Sequence, residues 1–116
     1  MKITREQTLS LDKHGINLRV YPVKSTGNAE LGVVHIECPK GHFEEFYHQV
    51  SIFTYYILEG EGTFFLDGQP TPVKATDLVV IPPNTKIYYL GKMKMLLMTT
   101  PAYTPEGEVH VRGIML

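Results

Sequence analysis

The segment "PKGHFEEFYHQ", residues 39–49, carries four side chains that can bind a metal or transfer a proton. Three of them, His42, Glu44 and His48, lie at even spacings and would share one face of a strand. Imidazole and carboxylate ligands suit zinc, iron and manganese, so a metal site built from these three is geometrically conceivable. Neighbours on one strand face lie about 6.5 to 7 Å apart, however, and a charged strand end is commonly a solvated rim.

His48 also allows a chemistry without metal, because tyrosines follow it at Tyr55 and Tyr89. A histidine among apolar side chains tends to have a lowered pKa and to stay neutral at pH 7. In that form His48 can act as a general base, with a tyrosine as the acid. The alternative is a structural histidine whose ring is satisfied by a backbone carbonyl or a tyrosine hydroxyl. The sequence leaves both readings open.

The elements that must position these residues are strands. Apolar residues recur with period two or in short bursts, with ten glycines and eight prolines between them. Asp67-Gly68 can supply the two positive φ angles of a type I′ hairpin turn. The pattern predicts an all-β chain with strands at residues 16–23, 31–37, 43–48, 53–59, 63–66, 78–81, 86–90, 93–99 and 109–112.

Size and charge narrow the class of protein. With 116 residues and 43% hydrophobic content, the chain suits one domain over residues 1–116. A net charge of −1 gives no broad positive field, which argues against nucleic acid or a membrane surface as partner. The single cysteine, Cys38, and the lack of an apolar leader predict a cytoplasmic protein, with Cys38 as a small buried side chain.

Two stretches, "YYILEGEGTFFLDG" and "ATDLVVIPPNTKIYYLGKMKMLLMTTP", resemble the two sequence motifs of the cupin superfamily. The similarity covers about residues 41–101, with "LEGEGTF" in the position of a hairpin. It implies an all-β, single-domain jelly-roll β-barrel.

The same resemblance locates the four positions that bind a metal in cupins. Here they fall on Phe46, His48, Phe53 and Ile87, and only His48 can donate a lone pair. A catalytic metal site needs about three protein ligands, so the chain is expected to lack the usual metal cofactor. A metal at the relocated set of His42, Glu44 and His48 is the less favoured possibility.

Strand alternation predicts an aromatic, apolar barrel interior with a few polar anchors. We expect it to bind a small, partly apolar organic molecule, using Phe46, His48, Phe53, Tyr55, Ile87 and Tyr89. One alternative is a metal-independent sugar isomerase or epimerase with His48 as base and Tyr55 or Tyr89 as acid. Another is a metal-dependent oxygenase or isomerase with the relocated ligands. Glu108 and His110 would be able to cover a barrel mouth, although no pattern in the sequence places them there.

The outward positions of the motif strands are also mostly apolar. A second sheet layer covers part of such a surface, and a symmetric homodimer would cover the rest. The sequence therefore predicts a homodimer that buries some of Thr54, Tyr56, Leu58, Tyr88, Leu90, Leu96 and Met98.

Overall fold

The structure is a computed structural model that describes residues 1–28 and 30–115. Within these ranges the chain forms antiparallel strands and three short 3₁₀ helices at Arg5–Gln7, Val23–Thr26 and Pro105–Gly107. The strands are β1 (Leu9–Lys13), β2 (Ile16–Tyr21), β3 (Gly32–Cys38), β4 (Glu44–His48), β5 (Ile52–Leu66), β6 (Gln69–Lys74), β7 (Leu78–Ile81), β8 (Ile87–Leu90), β9 (Met93–Thr100) and β10 (Glu108–Gly113).

The strands form two layers that share β5. Its first part, residues 52–60, pairs with β7 and β9, and β3, β2 and β1 follow beyond β9. Its second part, residues 61–66, pairs with β6 and β8, and β4 and β10 follow beyond β8. The layers face each other as a curled antiparallel sheet, which confirms the predicted all-β jelly roll.

The prediction of two strands at 53–59 and 63–66 separated by a hairpin is wrong, because β5 runs unbroken through "LEGEGTF". Gly60 allows the bend between the two layers with a φ of +85°. A Cβ at this position would collide with the carbonyl oxygen of Lys92 on the neighbouring strand. Glycine is needed here both for the backbone angle and for the close approach of the strands.

Two edge strands were not anticipated. Strand β1 has mostly exposed side chains, so its sequence carries little hydrophobic signal. Strand β6 contains Pro70 and Pro72, and prolines in a sequence argue against a strand. Strand β6 nevertheless forms because it pairs with β5 on one side, so the backbone N–H groups that proline lacks are not needed at its other edge. The predicted turn at Asp67-Gly68 is confirmed by φ angles of +49° and +80°.

The predicted alternation of the motif strands is also confirmed. Phe53, Tyr55 and Ile57 of β5 and Ile87 and Tyr89 of β8 are all at most 3% exposed. Burying a side chain as large as that of Ile57 contributes about 1.5 to 3 kcal/mol relative to leaving it in water. These residues form the core between the two layers.

The outer face of the first layer remains partly uncovered. Leu78 and Val80 on β7 are 57% and 58% exposed, and Leu58 on β5 is exposed as well. The expected homodimer stays a prediction, since the structure contains a single chain. In the parts of the chain that are described, no helix is long and apolar enough to span a membrane.

Candidate functional site

A cavity of about 280 Å³ lies between the two layers. That volume is near the lower limit for small-molecule sites, which are commonly concave and mostly apolar. Its walls include the apolar side chains of Ile36, Phe46, Phe53 and Leu97. The polar and charged groups that line it include Lys13, His42, Tyr55, Tyr89, Thr99, Tyr103 and Glu108.

His42 is the one histidine of this lining, and its position is fixed by the backbone on either side. Its main-chain N–H donates to the carbonyl of Tyr89 at 2.8 Å. Its ring Nδ1 lies 2.6 Å from the carbonyl oxygen of Glu44, which can only accept a hydrogen bond. Nδ1 therefore carries the proton, and Nε2 of the neutral ring keeps its lone pair.

The protonation state of His42 follows from its surroundings. The residue is 4% exposed, and burial lowers its pKa to about 4 despite the opposing effect of the hydrogen bond to Glu44. Its ring packs 5.1 Å from Phe46 and 5.3 Å from Tyr89, measured between ring centroids. His42 is therefore a neutral imidazole at pH 7, with one nitrogen free to accept a proton.

Tyr55 and Tyr89 complete the inner part of the cavity, with ring centroids 5.8 Å apart. Burial raises the pKa of both, and the carboxylate of Glu108 adds to the effect on Tyr55. Both hydroxyls therefore stay protonated at neutral pH and act as hydrogen-bond donors.

A charged pair stands at the outer part of the cavity. Lys13 Nζ of β1 lies 3.8 Å from Glu108 Oε2 of β10, so the strands at the two ends of the sheet order meet here. Tyr103 lies beside them, and burial, followed by the charge of Glu108, raises the pKa of its hydroxyl. This arrangement provides a cation, a carboxylate and a phenol for the polar groups of a ligand.

His48, predicted as the candidate base, does not line the cavity. Its Nδ1 accepts the main-chain N–H groups of Val50 and Ser51 at 3.2 and 2.9 Å. Its Nε2 donates to the carbonyl of Thr104 at 3.0 Å. Both ring nitrogens are thus used to hold loops together, which matches the structural alternative raised from the sequence.

The other positions predicted from cupin motifs lie in the core. Phe46, Phe53, Tyr55 and Tyr89 line the cavity, whereas Ile87 is buried and is not part of its lining. That any of them binds a ligand stays a prediction. Phe46, Phe53 and Ile87 offer no donor atom, and the nitrogens of His48 are engaged by backbone. These residues do not fit the usual cupin metal.

The relocated set fits a metal no better. His42 directs Nδ1 to a carbonyl, and the Glu44 carboxylate binds His14 and His110 instead of turning toward His48. Among residues 1–28 and 30–115, no group of three or more histidine, cysteine or acidic side chains is arranged to hold a metal ion.

Sequence reasoning missed Lys13 and Tyr103 and left Glu108 without a role. Lys13 lies far along the chain from Tyr103 and Glu108, and the pairing of β10 with β4 and the position of β1 bring the three residues to the cavity. No local pattern would have identified them.

Cys38 behaves as predicted: it is buried, and burial raises the pKa of its thiol to about 11.

A second, larger depression of about 720 Å³ opens on the surface beside the turn between β1 and β2. It is lined mainly by charged and small side chains, including His14, Glu37, Glu59 and Lys94. It contains no aromatic wall and none of the buried tyrosines. The smaller interior cavity is therefore the better candidate.

The sequence matches the family model of the Cupin domain over residues 32–96. The uncharacterized protein MJ1618 of Methanocaldococcus jannaschii is 41% identical over 63 residues, which is 51% of this chain and 50% of that protein. Quercetin 2,3-dioxygenase of Bacillus subtilis is 32% identical over 68 residues, which is 58% of this chain and 20% of the enzyme. The matched region thus spans about half the length of MJ1618 and about a fifth of the length of quercetin 2,3-dioxygenase.

A solved structure extends the similarity to nearly the whole chain. Pac13, described as a unique nucleoside dehydratase, is 41% identical, with a TM-score of 0.93 over 99% of this chain and 93% of its own. Its Streptomyces variants H42Q, Y55F and Y89F have been solved with uridine. The family match covers more than half of the chain and agrees with the jelly-roll architecture, so this protein belongs to the cupin family.

Proposed function

We propose that this cupin is a dehydratase that removes water from a nucleoside or a close relative, using its own side chains rather than a metal. The proposal rests mainly on the state of His42, which is a buried, neutral imidazole with an unprotonated Nε2. It lines a cavity that Tyr55 and Tyr89 also line. The similarity to Pac13 supports it. The three residue types substituted in the uridine structures, histidine and two tyrosines, occur at the same numbers in this chain.

Dehydration breaks one C–H bond and one C–O bond of the substrate and forms a carbon–carbon double bond. Nε2 of His42 accepts the proton from carbon, while a tyrosine hydroxyl donates a hydrogen bond to the departing hydroxyl. The imidazolium is a strong acid here because burial lowers the pKa of His42. It passes the proton to the leaving group, which departs as water, and the neutral ring is restored without an oxidant or a second reactant.

The remaining lining suits a nucleoside. Phe46 and Phe53 offer aromatic surface for a flat base, and such contacts are favourable for any π-face. The carboxylate of Glu108 can accept hydrogen bonds from sugar hydroxyls, and Lys13 can donate to a carbonyl or hydroxyl oxygen. The cavity therefore combines apolar walls with a few polar groups that fix orientation.

The test is to incubate the purified protein with uridine and related nucleosides and to follow binding by calorimetry and products by mass spectrometry. We expect saturable binding and, for the true substrate, loss of the mass of one water. His42→Gln should bind and not turn over. The proposal is wrong if no such nucleoside binds, or if His42→Gln turns over at the wild-type rate. A product of unchanged mass would instead indicate an isomerase or epimerase.

A second candidate is a binding module without turnover. The predominance of apolar and aromatic walls favours it, since such a cavity retains a ligand without needing a catalytic group. The same experiment separates the two, because a module would bind a nucleoside tightly and release it unchanged.

Three further expectations from the sequence enter as proposals. We propose a cytoplasmic homodimer that buries some of the outward side chains predicted from the sequence, which are Thr54, Tyr56, Leu58, Tyr88, Leu90, Leu96 and Met98. The exposed Leu78 and Val80, which pair with Tyr56 and Thr54, extend this apolar face. Light scattering at micromolar concentration should give twice the chain mass of 13.1 kDa. We also propose that no metal is required. Activity that survives chelation, with no stoichiometric metal by elemental analysis, is the expected result.

A further inference from the structure

The segment that contains His42 also contains Glu44, a buried glutamate that forms a cluster with two more exposed histidines, His14 and His110. Glu44 Oε2 lies 2.7 Å from His14 Nε2 and 3.0 Å from His110 Nδ1, and the Glu44 side chain is only 8% exposed. His14 belongs to the turn between β1 and β2, and His110 belongs to β10. One carboxylate oxygen thus connects β4 to two other parts of the fold.

The same glutamate touches His42 through its main chain. Its carbonyl oxygen accepts the hydrogen bond from His42 Nδ1 at 2.6 Å, which keeps the proton on that nitrogen. Any movement of Glu44 therefore changes the partner that determines which nitrogen of His42 is free.

We propose that Glu44, hydrogen-bonded by His14 and His110, is a positioning residue that fixes the imidazole of His42 in the Nδ1–H tautomer with Nε2 free in the cavity. This rests on the proposed function for its catalytic meaning. The tautomer itself is a property of the ligand-free protein and does not depend on any substrate.

The backbone around His42 supports this role. The N–H of Phe43 donates to the carbonyl of His14 at 2.8 Å, and its carbonyl accepts from Ile114 N–H at 2.9 Å. The segment is therefore held on both sides by the same two regions that supply the histidines of the cluster. Side-chain and main-chain contacts act together on residues 42–44.

His42 has other titratable and charged neighbours that a test must separate from Glu44. The ring of His14 lies 5.4 Å from it and the ring of Tyr89 5.3 Å, and the charge of Lys13 also acts on it. Lys13 acts on His42 through its charge, and among the described residues it forms no hydrogen bond with either ring nitrogen. A change confined to Lys13 would therefore shift the pKa of His42 without changing its preferred tautomer. The tautomer of His42 thus reports on Glu44 more specifically than its pKa does.

Glu45 provides the matched control. It is the next residue, equally buried at 5% exposure, and its Oε1 accepts from Arg112 Nε at 2.9 Å on the other face of β4. Replacing Glu45 removes a buried carboxylate from the same strand and leaves the contacts of Glu44 intact. Glu45→Gln should therefore keep the wild-type state of His42.

The experiment uses ¹⁵N-labelled full-length protein, with long-range ¹H–¹⁵N correlation spectra to report the tautomer and pKa of each histidine. Wild type should show His42 as the Nδ1–H form. Glu44→Ala should produce a mixture of tautomers and a lower His42 pKa, because the hydrogen bond to Glu44 and the charge of its carboxylate both raise that pKa. Glu44→Gln, which keeps an acceptor oxygen, should restore most of the wild-type tautomer signal. Because Glu44→Ala removes a buried anchor and can fail to fold, His110→Ala serves as a second variant at a side chain that is 59% exposed.

Turnover gives an independent reading if the proposed function holds. Glu44→Ala should lower kcat on the order of 10- to 100-fold, as expected for a displaced catalytic group, with KM changed much less. An unchanged Nδ1–H tautomer in both Glu44→Ala and His110→Ala would overturn the positioning role, as would an equal effect of Glu45→Gln. If the tautomer changes while no nucleoside is ever dehydrated, the positioning role stands and the proposed function fails.

Discussion

His42 and His48 are two buried histidines, six residues apart, whose rings are hydrogen-bonded in different ways. Both are at most 4% exposed, and both rings lie against aromatic side chains of the core. In His48 both nitrogens are bonded to backbone groups of two loops. In His42 one nitrogen is bonded to a carbonyl, and the side chain lines the cavity.

The comparison shows that burial and residue type alone do not identify a functional histidine. A ring whose hydrogen-bonding capacity is fully used stabilises the loops that it joins. A ring with one nitrogen free in a cavity can accept a proton or a ligand hydrogen bond. Predictions that substitute the two residues in the same way test this difference directly.

The largest expected effect is on turnover. His42→Gln removes the proposed base, so under the proposed function kcat should fall about 10²- to 10⁴-fold, the usual contribution of general base catalysis. His48→Gln should keep kcat within about tenfold of wild type in the fraction of molecules that fold, because His48 does not reach the cavity. Rates are to be measured by mass spectrometry of the dehydrated product. Equal losses in the two variants would remove the functional contrast between the histidines.

For the free energy of unfolding the order reverses, and His48→Gln should lose more than His42→Gln. His48→Gln leaves the N–H groups of Val50 and Ser51 and the carbonyl of Thr104 without their common partner, at a cost of about 2 to 4 kcal/mol in the free energy of unfolding. His42→Gln loses one such bond and should cost clearly less. Urea unfolding followed by fluorescence measures both. A smaller loss for His48→Gln than for His42→Gln would contradict the structural assignment.

The sequence led to His48 first for a physical reason. Cupin spacing placed His48 among the metal positions, and strand parity put it on the same face as Phe46. Neither pattern contains information about the backbone groups of residues 50–51 and Thr104, which form hydrogen bonds with both nitrogens of the His48 ring. Hydrogen-bond satisfaction depends on contacts across the fold, so it was visible only in the structure.

The barrel itself was more accessible to sequence reasoning. Alternating apolar residues identified the buried faces of β5 and β8, and Asp67-Gly68 identified a hairpin turn, because these features depend on neighbours along the chain. The unbroken course of β5 and the meeting of Lys13 with Glu108 depend on how the layers pack. Both lay beyond local patterns.

The stability of the protein should also depend on pH through His42. The folded pKa of His42, about 4, lies below the value of about 6.5 for an unfolded chain, so the unfolded state binds more protons between these values. Stability from this residue is therefore present above about pH 6.5 and is lost as the pH falls toward 4, by at most about 3 kcal/mol. The unfolding free energy of wild type relative to His42→Gln should therefore decrease as the pH falls from about 6.5 toward 4. Parallel curves over this range would mean that the pKa of His42 is not lowered.

The smallest expected effect probes the packing around His48. A Cβ on Gly107 would come within 2.6 Å of His48 Nε2, closer than atoms of neighbouring side chains approach, and the ring cannot retreat without losing its bonds to the loops. Gly107→Ala should therefore cost about 1 to 2 kcal/mol through overpacking. Gly113→Ala is the matched control in β10, since a Cβ there meets no atom within 4 Å and should change stability by less than about 0.5 kcal/mol. Urea unfolding of the two variants measures this, and equal midpoints would show that the ring of His48 is free to move, contrary to the role assigned to it.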